Sequence, residues 1–84
     1  MTITWKQYSF SELSVHRLYE IIQFRQEIFI VEQNCAYLDA DGTDHAALHL
    51  CGYIDNTLSL YARVFPAGTL RMEAVIGRVL IHKD

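Results

Sequence analysis

The stretch ALHLCGYIDNTLSLYARVF, residues 47–65, decides the fold. Two apolar runs with a period of two flank "DNT", a tight-turn signal. In the first run, Leu48, Leu50, Gly52 and Ile54 share one face, and Ala47, His49, Cys51 and Tyr53 share the other. In the second, Leu58, Leu60, Ala62 and Val64 lie opposite Ser59, Tyr61, Arg63 and Phe65. The pattern predicts an antiparallel hairpin.

Working outward, Pro66 ends the second strand and AGTLRME, residues 67–73, reads as a connecting loop. AVIGRVLIH, residues 74–82, is a β-branched apolar run that reads as a buried strand. Upstream, DADGTD, residues 39–44, is turn chemistry, because Asp bonds its own backbone and Gly accepts positive φ. Before it, Val15 opens a helical pattern with Ser14 as N-cap. At 100° per residue, Val15, Leu18, Tyr19, Ile21, Ile22, Ile28 and Phe29 share an apolar arc. Phe24 falls on the polar side, and Arg25 falls in the middle of the apolar arc. A guanidinium there must snorkel, pair with a carboxylate such as Glu32 or a loop aspartate, or contact a ligand. ITWKQYSF, residues 3–10, reads as a first strand. The order is β-α-loop-β-β-β, an α+β arrangement.

The 84 residues form at most one domain, and 51% of them are apolar. That supply serves either a tight core or an apolar surface meant for something outside the chain. The predicted last strand is the most apolar one, and an uncovered apolar edge invites association. A net charge of −3 argues against nucleic acid as partner. No apolar run reaches the roughly 18 residues a membrane span needs. The start, MTITWKQYSF, lacks the pattern of an export signal, so Cys35 and Cys51 read as reduced thiols of a cytoplasmic protein. Metal binding is not expected. The Gly of DADG comes too early for a calcium loop, and its twelfth position is Leu50 rather than Glu. His45 and His49 on one strand would sit about 13 Å apart, too far for one zinc ion.

Several segments resemble a known family when taken in order. They are LYEIIQFRQEIFIVEQNCAYLDADGTD, then HLCGYIDNTLSLYARV, then VIGRVLIHKD. Together they resemble the N-terminal half of the ElaA-like branch of the GNAT acyl-CoA N-acyltransferases. The resemblance implies part of a mostly antiparallel sheet flanked by helices, with acetyl-CoA as co-substrate and a small-molecule or peptide amine as acceptor. It implies that backbone groups around Val79 and Ile81 would pair with the pantetheine arm of the coenzyme, as an added strand does. Arg78 would lie on that coenzyme side, unless it pairs with the loop acids. The glycine-rich loop that holds the pyrophosphate in the family is not found, since Gly42, Gly52, Gly68 and Gly77 stand singly. The expectation is one partial GNAT domain over residues 1–84, inactive alone.

Transfer to an amine needs a base and a surface that draws a cation. Glu32 and His49 are the candidate bases. Arg25, Asp39, Asp41, Tyr61 and Arg63 are the candidate substrate-side residues, with the acidic loop as an amine-attracting wall or as a solvated turn. The rival reading is a non-catalytic association module. Its exposed last strand would pair with a second copy or with a separate C-terminal half.

Overall fold

The computed structural model describes residues 2–33, 38–69 and 71–81. The hairpin at its centre joins β2 (Leu48–Ile54) to β3 (Thr57–Phe65). Asp55 and Asn56 both take positive φ, 51° and 64°. A two-residue turn of this hand matches the twist of the strands it joins, and Asp and Asn tolerate it better than most residues. β1 (Ile3–Ser9) and β4 (Val75–Ile81) flank the hairpin, giving one sheet in the order β1-β2-β3-β4. Every neighbouring pair is antiparallel.

Between β1 and β2 lies α1 (Val15–Gln26). It starts where the sequence places it, because the Ser14 hydroxyl accepts from the Arg17 N–H at 3.0 Å. That bond satisfies a donor the first helical turn leaves orphaned. α1 then widens without a break into a π-helical segment, Glu27–Glu32. The Gln33 N–H accordingly donates to the Ile28 carbonyl, five residues back, at 2.9 Å. Such wide turns recur at functional sites.

The core lies between α1 and one face of the sheet. Ile21, Phe24 and Ile28 of the helical segments pack on Cys51, Tyr53, Leu58, Tyr61 and Leu80. This corrects the helix arc read from the sequence. Phe24 is buried, whereas Val15 and Tyr19 are 81% and 69% exposed. The buried stripe is Ile21, Phe24, Arg25 and Ile28, roughly a quarter-turn from the apolar arc at 100° per residue. Arg25 turns inward with this stripe, and its guanidinium meets the loop carboxylates.

Two bulges break the simple alternation. Gly52 pairs with Leu60 but Tyr53 pairs with Leu58, so Ser59 is the extra residue. The slip moves Leu58 onto the face of Tyr61 and into the core, away from the face it was expected to share with Leu60. In β4, Leu80 pairs with Tyr61 and Gly77 pairs with Arg63, so Arg78 and Val79 together face Ala62. Arg78 takes φ +51°, a left-handed backbone inside a strand. Among the described residues β4 is an edge strand, as its uncovered position in the sequence implies, but of the apolar run read as buried only Leu80 is fully buried. Behind the sheet, Trp5, Leu50, Leu60, Ala62, Ile76 and Ile81 line a shallow apolar depression of about 270 Å³.

Candidate functional site

The loop that follows the π-helical segment and leads into β2 carries Asp39, Asp41 and Asp44. Its turn is built locally. Asp41 Oδ1 accepts from the Thr43 N–H at 3.1 Å and from the Thr43 hydroxyl at 2.7 Å, while Gly42 supplies φ +85°. This is the Asp-Gly turn chemistry read from the sequence.

Three arginines from three different elements converge on this loop. Arg25, on α1, donates from Nη1 to Asp44 Oδ1 at 2.8 Å and from Nη2 to the Asp39 carbonyl at 2.7 Å. Its Nε lies 2.9 Å from Asp39 Oδ2, off the N–H axis, so this contact is an ion pair rather than an aligned hydrogen bond. Arg63, on β3, grips Asp41 with both ends of its fork, at 3.0 and 2.9 Å, and also donates to Asp44 Oδ1 at 2.8 Å. Arg78, in the β4 bulge, donates from Nε to Asp39 Oδ1 at 3.0 Å. Its Nη2 reaches the Asp39 carbonyl and Asp41 Oδ2, both at 3.3 Å.

Burial makes this arrangement consequential. Arg25 is 1% exposed, Arg63 5% and Asp39 6%. Charges this far from water are tolerated only when paired and hydrogen-bonded. The Arg63 guanidinium holds the Asp41 carboxyl far below the usual carboxylate range. Burial raises the pKa of Asp44, but hydrogen bonds from Arg63 and Arg25 outweigh it, and the net shift is downward. Asp44 is thus the hub of the cluster, sharing one oxygen between two guanidiniums. It stood among the loop acids in the sequence but carried no signal to separate it from Asp39 and Asp41.

Beneath the cluster, His49 is fully buried. Its Nε2 lies 2.9 Å from the Asp44 carbonyl, which can only accept, so Nε2 carries the proton. Nδ1 then accepts from the Tyr61 hydroxyl at 2.6 Å. Burial pushes the imidazole pKa down and the Tyr61 phenol pKa up, keeping both neutral. With both ring nitrogens engaged inside the fold, His49 braces the loop against the sheet. Tyr61 in turn faces the Arg25 guanidinium, 5.8 Å from its ring centre.

The remaining candidates lie elsewhere. Glu32 ends the π-helical segment on the exposed surface. Val79 and Ile81 sit on β4, 61% and 66% exposed. Of the β4 bulge the sequence carries one sign, Gly77 beside it, the kind of strand glycine that often marks one. Cys35 falls outside the described residues. Among the described residues, no three His, Cys, Asp or Glu side chains gather as metal ligands. No described helix is long and apolar enough to cross a membrane.

This arrangement of sheet and helix superposes on a solved acyl-CoA N-acyltransferase. An acyl-CoA N-acyltransferase from Pseudomonas aeruginosa superposes with a TM-score of 0.88 at 33% identity, over 95% of this chain and 56% of its own. The chain therefore carries part of the GNAT acyl-CoA N-acyltransferase fold. It is also similar to ElaA. The crystal structure of Escherichia coli ElaA gives a TM-score of 0.88 at 39% identity, over 98% of this chain and 57% of that one. In sequence, ElaA of Escherichia coli K12 is 41% identical over 83 residues, and a UPF0039 protein of Synechocystis sp. is 43% identical over 84. The chain spans about half the length of these relatives, 54% of each. No protein-family model matches it.

Proposed function

We propose that this chain supplies the acceptor side and one wall of the coenzyme A cleft of an N-acyltransferase that moves an acetyl group from acetyl-CoA to an amine. The observation that carries this reading is the bulge in β4. Among the described residues, β4 is an edge strand whose register shifts at the bulge, and its outer main-chain edge faces no other described strand. The amide-rich pantetheine arm is the part of the coenzyme suited to pair with such an edge, here around Val79 and Ile81. Likeness to an acyl-CoA N-acyltransferase over 95% of the chain supports the same reading.

In this reading Glu32, on the surface at the end of the π-helical segment, accepts the proton that the amine releases. Asp41, with its side chain 31% exposed, is the part of the cluster that a cationic amine can approach. Arg25, Asp39, Tyr61 and Arg63 shape the acceptor side from inside the fold, and His49 contributes as a brace rather than as a base. Residues 1–84 act as one part of a cytoplasmic enzyme domain and are silent alone.

The test compares release of free coenzyme A thiol from acetyl-CoA, over a panel of amines, in two proteins. One is the 84-residue chain, and the other is the chain joined to the remaining segment of ElaA. The joined protein should turn over, and Glu32→Gln should slow it by about 100-fold or more, the usual contribution of a general base. Turnover by the 84-residue chain alone, or none by the joined protein, would overturn the proposal. The exposed edge of β4 also favours a second reading, in which the chain is an association module without chemistry. Stable self-association in sedimentation, together with no acetyl-CoA binding by the joined protein, would select it.

A further inference from the structure

We propose that the arginine–aspartate cluster is a latch that sets the shape of the β4 bulge, with Arg78 and Asp39 as positioning residues for the acyl carrier. This rests on the acyltransferase reading. Among the described residues three non-glycines have positive φ. Asp55 and Asn56 belong to the hairpin turn, where that backbone is expected. Arg78 is the one inside a strand, and an L-residue with a Cβ resists that conformation.

The residue next to it makes the point sharper. Gly77 could adopt a left-handed backbone without strain, and open space surrounds it, yet it has no positive φ. The chain places a long cationic side chain, rather than its neighbouring glycine, at the strained position. What that side chain does there is visible. Its Nε bonds Asp39 Oδ1 at 3.0 Å, and its Nη2 reaches Asp39 and Asp41.

Those two aspartates are themselves immobilised from behind. Arg25 holds Asp39 from the buried side of α1. Arg63 holds Asp41, and it sits on β3 directly across from Gly77. The bulge is thus tied through the loop to the helix and to the adjacent strand. Its main chain at Val79 is oriented by the cluster, although no cluster carboxylate belongs to β4. Strain held by surrounding contacts at one backbone position is a known means of pre-organising a site.

The experiment uses Arg78→Ala, Asp39→Asn and the double variant, with Arg78→Lys as a milder version should Asp39→Asn fail to fold. In the chain joined to the remaining segment of ElaA, each single variant should raise the KM for acetyl-CoA about tenfold, equivalent to roughly 1.4 kcal/mol. The KM for the amine should stay within about twofold. The double variant should be no worse than the worse single one, because both changes release the same latch. Acetyl-pantetheine, which carries no phosphate, should show the same loss as acetyl-CoA. A loss seen with acetyl-CoA but not with acetyl-pantetheine would mean that Arg78 touches a coenzyme phosphate, and the latch would be overturned. So would a normal acetyl-CoA KM in Asp39→Asn, or in Arg78→Lys where that variant stands in for it.

Amide hydrogen exchange at Gly77 and Leu80, which flank the bulge and pair with Arg63 and Tyr61, provides in the 84-residue chain an arm independent of catalysis. Faster exchange in both variants upholds the latch even if the joined protein proves inactive, in which case the acyltransferase reading alone fails. Unchanged exchange overturns the latch whatever the activity.

Discussion

Replacing Asp44 with Ala removes the one carboxylate oxygen that Arg25 and Arg63 share, each at 2.8 Å. Charge-assisted hydrogen bonds contribute roughly 1.5–3 kcal/mol each, so two of them bound the loss at about 3–6 kcal/mol. Neither guanidinium is stripped bare, because Arg25 keeps Asp39 and Arg63 keeps Asp41. That retained pairing places the expected loss in the lower half of the range, about 3–4 kcal/mol. A domain of this length has only about 4–13 kcal/mol in total, at 0.05–0.15 kcal/mol per residue. The variant should therefore lose a large share of its stability, with a melting midpoint lower by more than about 10 °C. Urea titration followed by far-UV circular dichroism and by Trp5 fluorescence measures it. Adding Arg25→Met to Asp44→Ala should cost less than the two single losses summed, since both remove the same Arg25–Asp44 bond, with a coupling of about 0.5–3 kcal/mol. A loss below about 1 kcal/mol would match an exposed ion pair. It would refute the claim that the cluster carries stability.

Acid should unfold the protein in two stages. The His49 pKa is lowered in the folded state, so the unfolded chain binds the extra proton and stability falls as pH drops below the ordinary value of 6.5. The Asp41 and Asp44 pKa values are also lowered, so their contribution is full above the ordinary 3.8 and is lost as pH falls further below it. Denaturation midpoints measured from pH 8 to 2 should show both stages, and His49→Gln should abolish the first alone. In Gly52→Ala the new Cβ would lie 2.9 Å from Trp5 Cζ3 and 3.1 Å from Leu60 Cβ. Overpacking of this kind costs about 1–3 kcal/mol, and the Trp5 emission should shift with it. Cys51 is fully buried and its thiol is pushed up to about 11. In a Cys35→Ser background it should resist a disulfide reagent at pH 8 until urea unfolds the chain, and prompt labelling would contradict the packing around it.

What the sequence shows of this molecule follows the range of each interaction. The hairpin was legible because alternation and turn chemistry are local, and Ser14 as N-cap was legible for the same reason. The Ser59 slip carries neither Gly nor Pro to announce it, so strict alternation puts Leu58 on the wrong face. The apolar arc counts Val15 and Tyr19 as core, whereas the buried stripe includes Phe24 and Arg25, and nothing local says that a guanidinium there meets carboxylates. Asp-Gly turn formation could be read from DADGTD, but nothing local says which cation meets which acid. The choice between a solvated acidic loop and a paired one was decided by arginines on other elements. Gly77 hinted at irregularity in the last strand. That the left-handed residue is Arg78 follows only from where Asp39 ends up.

The span of those ion pairs along the chain has a consequence for the timing of folding. Their bonds join residues 14, 19, 22, 37 and 39 positions apart. The Arg25 bonds wait for the helix to meet the loop and the Arg78 bonds for β4 to join the sheet, whereas the β2–β3 hairpin closes over two residues. Interactions that form after the folding barrier leave the folding rate alone and slow the reverse step. The cluster is therefore expected to act as a brake on opening. Stopped-flow traces of cluster variants should show faster unfolding with refolding unchanged, so that the lifetime of the native state, more than its speed of formation, depends on three arginines and three aspartates.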